Sequence, residues 1–293
     1  MILNRLQEKL DGKLRPNQNG FRPGRSTTSH ILALRRVIEG VKSHNQKAII
    51  LYVDFRKAFD SIHRGKMFKI LKAYGIPPRL LNAIITMYKN TKARIVSPDG
   101  ETEFFEILTG VLQGDTLAPY LFAIVLDYVM RQVYDGREAE LGFCLHRQRS
   151  RRYPAITVTD LDFADDLALV TEEIHQAQEI LHQLEIKAKN VGLICNADKT
   201  ELQAFNQDQQ VNIRTLEGEP IKVVPNFKYL GAWTESTQKD INVRKALAWS
   251  ACHKLKKIWK SKLPRKLKIR LFLATVEYVF LYGADSHANQ IAK

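Results

Sequence analysis

Six consecutive residues, AIILYV at 48–53, are apolar and rich in β-formers, and the chain leaves them at Asp54. A run this short, with no polar position in its alternation, reads as a strand buried on both faces. Residues 155–170 carry a second pattern, read as strand, tight turn and strand, with Asp165 and Asp166 at the bend. Strands mixed with helices in no strict alternation predict an α+β fold, a sheet covered by helices.

The helical segments are marked by spacing and punctuation. After the polar loop PNQNGFRPGRS (16–26), a stripe through Ile31, Leu34, Ile38 and Val41 predicts a helix, with Thr27, Thr28 or Ser29 as candidate N-caps. A helix around 66–74 stops at Gly75, and Pro77-Pro78 opens the next, with Leu81, Ile84, Ile85 and Tyr88 inward. KARIVSPDGETEFFEI reads as two strands around a Pro98-Asp99-Gly100 turn. Residues 117–133 are apolar and helical, and 137–154, with HRQRSRR, read as a basic surface loop. An amphipathic helix follows through Ile174, Ala177, Leu181, Leu184, Ala188 and Val191, then short strands near Val223-Val224 and over 228–233. After Asp240 the character shifts to basic helices, expected to form a second, smaller domain with Leu247, Ala251, Leu255 and Ile258 as its buried stripe.

Charge narrows the function. Lys and Arg number 45 against 31 Asp and Glu, a net charge of +14, which points to a polyanionic partner, most commonly nucleic acid. Between Arg244 and Arg270 there are eleven basic residues and no acidic one, with Trp249 and Trp259 among them. A solvated face normally mixes both signs, so this run favours duplex binding. The three cysteines, Cys144, Cys195 and Cys252, lack the paired spacing of a zinc site and read as reduced thiols of an intracellular protein. No apolar run reaches the roughly 18 residues of a membrane span, and no membrane partner is expected.

The carboxylates carry the chemistry. If the strand before Asp54 and the hairpin bearing Asp165-Asp166 are neighbours, three carboxylates converge. Like charges ~4 Å apart at an effective dielectric near 20 repel by roughly 4 kcal/mol per pair. Such a cluster persists only when protonated or neutralised by divalent cations, and all-oxygen ligation selects Mg²⁺ or Mn²⁺ over zinc. Two such ions are the apparatus of in-line phosphoryl transfer.

The series NQNGFRPGRST (17–27), YVDFRKAFDSI (52–62), TGVLQGDTLAPYLF (109–122), LDFADDLAL (161–169), GLICNADKTEL (192–202) and KYLGAWTE (228–235) resembles, in order and spacing, the blocks of reverse transcriptases. It is most similar to those of non-LTR (LINE-type) retrotransposons, and the resemblance covers roughly residues 15–240.

That resemblance implies a right-hand polymerase with a palm, partial fingers and a partial thumb. Its divisions would be truncated fingers at 1–46, palm at 47–65, a fingers insertion at 66–108, palm again at 109–238 and a basic helical thumb at 239–293. It implies RNA-templated addition of deoxynucleoside triphosphates to a DNA primer, with Asp54, Asp165 and Asp166 holding two Mg²⁺ or Mn²⁺ ions. Lys199 matches the general acid for departing pyrophosphate, and Asp60 lies past the metal site as a structural acid. Phe59 matches the ring that excludes a 2′-hydroxyl, while Gln113 and Gly114 match the pair approaching the nascent base pair; Asp115 is less typical of the family. Tyr229, Gly231 and Trp233 fall in the block that grips the primer terminus, and Lys254 and Lys257 in the thumb that closes over the template–primer duplex. Arg22 and Arg25, just before a helix N-terminus, are placed to hold phosphate or template backbone.

No fingers motif for the triphosphate precedes Asn17, so the chain reads as a fragment, and a binding-only remnant that holds template–primer without turnover stands as the alternative. Element biology implies nuclear and cytoplasmic residence.

Overall fold

The structure, a computed structural model, describes residues 1–98, 100–148 and 150–287. The chain divides into two compact units, Met1–Arg25 with Asn45–Val224, and Ser26–His44 with Pro225–Lys293.

In the first unit the strands are β1 (Ala48–Val53), β2 (Phe143–His146), β3 (Ile156–Val158), β4 (Asp160–Phe163), β5 (Asp166–Thr171), β6 (Glu201–Phe205) and β7 (Lys222–Val223). Five of them form one sheet in the order β7-β6-β1-β5-β4. β6 and β7 are parallel and every other neighbouring pair is antiparallel. All six residues of β1 are buried, as its composition requires of a central strand. Ile49, Leu51 and Val53 join the core, and Ile50 and Tyr52 alternate to the opposite face.

The helices of the first unit are α1 (Ile2–Leu10), α3 (Arg64–Ala73), α4 (Pro78–Met87), α5 (Ala118–Tyr134) and α6 (Ile174–Asn190); α2 (Thr27–Ser43) belongs to the second. α5 is apolar nearly all round and correspondingly buried, packed between α3 and α6. Its one buried acid, Asp127, accepts from the Arg15 backbone N–H (2.6 Å), the Tyr74 hydroxyl (2.5 Å) and Arg131 Nε (2.8 Å). α6 starts at a capping box in which the side chains of Glu173 and Gln176 each accept from the other's backbone N–H.

One reading is corrected here, one strand is added and one turn lies partly outside the described residues. Residues 137–154 are not one loop: Glu138–Leu141 is a helical turn and β2 follows, because Leu141 and Phe143 are buried. β6 had no place in the sequence pattern, yet it pairs with β1 from Ala48 to Tyr52. Of the turn at 98–100, Asp99 lies outside the described residues; the segment around it forms two-residue ladders, Lys92–Ala93 with Phe105–Glu106 and Val96–Ser97 with Gly100–Glu101.

The second unit comprises α2, the hairpin β8 (Lys228–Tyr229) and β9 (Ala232–Trp233), then α7 (Thr237–Lys254) and α8 (Arg265–Phe272) with short helical turns after each. The N-cap of α2 is Ser26, one residue before the expected candidates; its Oγ accepts from Ser29 N–H. The expected stripe of α7 is also corrected. Leu247 is 42% exposed, and the residues turned inward are Asp240, Arg244 and Ala248. The reason is polar: Asp240 pairs with Arg35 of α2 at 2.9 Å and accepts from the Trp233 N–H at 3.0 Å, while Arg244 donates to the Gly231 carbonyl. No helix among the described residues is long and apolar enough to cross a membrane.

Candidate active site

β1 and β5 run antiparallel with Val53 opposite Leu167, so the next residues outward, Asp54 and Asp166, stand opposite one another at the strand ends. β4 and β5 close as a hairpin with Phe163 opposite Asp166, which leaves Ala164 and Asp165 as the two loop residues. All three carboxylates expected from the sequence therefore lie at one end of the sheet. The electrostatics agree. Burial pushes the Asp165 carboxyl above its usual range, a bond from its own backbone N–H pulls it back, and Asp54 adds to the rise. Asp166 is exposed at the strand end yet partly surrounded by protein, and its carboxyl is pushed up to about 6, by that partial desolvation first and then by Asp165 and Asp54. Each proton retained is the response of like charges crowded in a partly desolvated place.

Asp54 is held by the NADKT turn. Asn196 N–H donates to the Asp54 carbonyl at 2.8 Å, and Asn196 Nδ2 donates to Asp54 Oδ2 at 3.2 Å. The exposed Lys199 places Nζ 4.0 Å from the same oxygen. Lys199 thus joins the group at the strand ends. Asn196 is a site residue that sequence reasoning passed over, although it stands in the block that supplied Lys199.

The hairpin turn has a second support that the sequence did not disclose. Ala164 has φ 58°, in the left-handed region that costs a non-glycine residue roughly 1–2 kcal/mol. Gln18 holds it there: Oε1 accepts from the Ala164 N–H (3.0 Å) and the Gly20 N–H (2.7 Å), and Nε2 donates to the Ala164 carbonyl (3.3 Å). Asn19 N–H donates to the Asp162 carbonyl and Asp162 N–H to the Asn17 carbonyl, so residues 17–19 extend the sheet beyond β4. Gly20 lies so close that a Cβ there would sit 2.2 Å from Ala164 N. Beneath, Arg15 bridges the buried Asp160 (2.5 Å) and Asp162 (3.6 Å). The signal was the run PNQNG, whose amide and glycine content marked only a loop.

Residues 109–114 pack on 59–62. Val111 N–H donates to the Phe59 carbonyl and Gly110 N–H to the Ile62 carbonyl, both at 2.8 Å. Gln113 Nε2 donates to Asp60 Oδ1 at 2.8 Å, so Asp60 braces the Gln113 loop. Phe59 is half-buried, stacked on Phe122 with ring centroids 4.6 Å apart. Gly114, with φ 89°, is exposed on the same loop.

The other expected contacts divide. Arg22 is corrected: it is buried, and its guanidinium donates to Asp11 Oδ1 and to the carbonyls of Asp11, Arg15 and Gln18, so its donors are taken up in bracing the loop. Arg25 is exposed, and its guanidinium donates to Asn19 Oδ1 at 3.3 Å. In the second unit Tyr229 is buried within β8, which leaves its side chain in the core and off the surface. Gly231 takes φ 79° at the hairpin tip, and the half-buried Trp233 carries the Lys239 ammonium 3.5 Å over its ring. Lys254 and Lys257 are exposed.

Oxygen donors and mutual repulsion fit a hard divalent cation. Among the described residues no group of three or more His, Cys, Asp or Glu side chains is gathered closely enough to hold a metal ion by itself. Mg²⁺ does not ask for such a group, since it keeps several waters and takes one or two carboxylates together with substrate phosphates.

The chain is similar to known proteins. Residues 1–234 match the family model for reverse transcriptase (RNA-dependent DNA polymerase), so the match reaches back through α1, earlier than the resemblance in the sequence motifs. The chain is 27% identical over 222 residues to the retrovirus-related Pol polyprotein from the type-2 retrotransposable element R2DM of Drosophila melanogaster, covering 74% of this chain and 20% of that one. It is 26% identical over 266 residues to a Pol polyprotein from the type-1 retrotransposable element R2 of Popillia japonica, covering 88% and 41%. The chain thus spans less than half the length of these relatives. A solved telomerase from Candida tropicalis, in complex with a TWJ fragment of telomeric RNA, shares the fold with a TM-score of 0.50 at 12% identity, over 86% of this chain and 41% of that one. With its palm-type α+β sheet and a family match over most of its length, the chain belongs to the reverse transcriptase (RNA-dependent DNA polymerase) family, whose members are nucleotidyltransferases.

Proposed function

We propose that this chain adds deoxynucleotides to a primer 3′-hydroxyl on an RNA template, as the polymerase segment of an R2-type element. The observation that carries the reading is the register of β1 on β5, which sets Asp54 against Asp166 with Asp165 in the adjoining turn. Asp54, Asp165 and Asp166 would hold Mg²⁺ or Mn²⁺. Ions bound there would lower the pKa of the attacking hydroxyl and stabilise charge on the leaving pyrophosphate. Lys199, at the edge of the cluster, is placed to donate a proton to that leaving group. Phe59, fixed by its stack on Phe122, offers a rigid ring against which a 2′-hydroxyl would clash, and Gln113 is steadied by Asp60 for contact with the new base pair. The basic helices of the second unit supply phosphate contacts, with Lys245, Lys254, Lys256, Lys257 and Lys260 all exposed.

The test is primer extension on an RNA template with Mg²⁺, beside Asp165→Asn. Extension by the native chain and none above background by the variant is the expected result. Equal signal from both excludes catalysis by these carboxylates and leaves the binding-only reading.

A further inference from the structure

The β2–β3 hairpin is not used by the chemistry above. Its base is fixed: Leu141 and Phe143 are buried, and the Cys144 N–H donates to Glu172 Oε1 at 2.8 Å. Its far end is open and of one sign. From Gly142 to Thr159 the sequence contains no Asp or Glu, and Arg147, Arg151 and Arg152 are exposed. In the same unit Arg94 pairs with Glu101, Arg131 with Asp127 and Arg137 with Glu140 and Glu179, whereas Arg5, Arg56, Arg79 and Arg214 are exposed and scattered singly without an ion pair among the described residues. Among the described residues these three hairpin arginines form no such pair.

His146, Arg147, Arg152, Tyr153, Pro154 and Ile156 enclose a cup of about 270 Å³. Tyr153 is 69% exposed, an unusual position for a ring that contributes nothing to the core. The cup is also separate from the carboxylates. β3 enters β4 at Asp160, whereas Asp165 follows Phe163 at the opposite end of that strand.

Two guanidinium groups beside an open aromatic ring in a one-base-sized cup match a particular ligand chemistry: two phosphates flanking an unstacked base. A duplex keeps its bases stacked and cannot insert one, whereas a single strand can. We propose that this hairpin is a second nucleic-acid site that grips a single strand, with Arg147 and Arg152 on the phosphates and a base stacked on Tyr153. The site lies outside the polymerase chemistry and does not depend on it.

The test uses the full chain and a fluorescent uridine oligonucleotide, as RNA and as DNA, with unlabelled template–primer duplex in excess to occupy the basic helices. Tyr153→Ala is expected to weaken binding roughly 5- to 100-fold with its salt dependence unchanged. Arg147→Ala with Arg152→Ala is expected to reduce the slope of log K on log salt by about 1.4, the value for two lost single-strand phosphate contacts. Photo-crosslinking of a bromouridine strand should label the peptide containing Tyr153. All three side chains are exposed, so fold and primer extension should persist in both variants. The difference between the RNA and DNA arms identifies which strand the site takes. Unchanged affinity and slope in both variants would overturn the proposal, as would equal loss of binding to anionic lipid vesicles. Asp165→Asn should bind the single strand normally, so failure here and failure of the polymerase reading are read separately.

Discussion

Replacing Arg15 with Met is expected to cost about 3–5 kcal/mol of folding stability at neutral pH, the usual penalty for breaking a buried ion pair on one side. Arg15 is the only cation beside two carboxylates that are all but fully buried, Asp160 and Asp162, among the described residues. Its guanidinium also lies over the Tyr134 ring, 5.4 Å from the centroid, so the substitution removes packing as well as charge. Asp162 already sits well above the usual carboxylate range, through burial first and then Asp160, and Arg15 is what lowers it. In the variant the native state therefore holds protons that the unfolded chain releases. Stability then falls as pH rises, and the deficit relative to the native sequence should be larger at pH 8 than at pH 5. Urea unfolding at the two pH values measures both quantities. A deficit below 1 kcal/mol at either pH would show that the pair does not anchor β4.

Gly20→Ala tests the coupling between that anchor and the chemistry. The added methyl would meet backbone, Ala164 N at 2.2 Å and Ala164 Cα at 2.9 Å, and also Gln18 Oε1 at 2.9 Å. A flexible side chain cannot yield here, because the obstacle is the turn that carries Asp165. The cost in stability is expected to be about 1–3 kcal/mol, as for other overpacked sites. The cost in turnover is expected to be larger, on the order of 100-fold in kcat, since displacement of a reacting group by about an ångström has that effect. Steady-state extension with the deoxynucleotide varied separates kcat from KM, and thermal melting reports stability. A stable variant with native kcat would show that the Gln18–Gly20 loop does not position Asp165.

The sequence made some of this legible and hid the rest for identifiable reasons. β1 was readable because every residue in it is apolar, and Asp54, Asp165 and Asp166 stood out because each follows a strand-forming run. β6 was hidden because it mixes Glu201 and Gln203 with Leu202; Gln203 is buried as the partner of the Tyr52 hydroxyl, a bond no periodicity shows. The α7 stripe was misread for a related reason. Its spacing of 247, 251, 255 and 258 assumes one continuous helix, whereas α7 ends at Lys254 and a separate turn spans Lys256–Trp259. What α7 buries is an ion pair to α2, which depends on a residue some 200 positions away. Arg22 looked like a phosphate ligand because free arginines at helix starts often are; only the fold shows that backbone carbonyls and Asp11 have taken its donors.

On the proposed reading, the end of the sheet concentrates negative charge that a divalent cation would relieve. Asp166, raised to about 6 by partial desolvation, Asp165 and Asp54, binds more protons folded than unfolded between about pH 4 and pH 6. Without metal, stability should therefore fall across that window and stay low above it, the penalty being absent below pH 4. The most direct measurement is thermal melting at pH 8 with and without MgCl₂, for the native chain and Asp166→Asn. The native chain should melt higher with Mg²⁺. The variant should melt higher than the native chain without metal and gain less from Mg²⁺. Identical Mg²⁺ responses in the two proteins would contradict the assignment of Asp54, Asp165 and Asp166 as one metal-binding cluster.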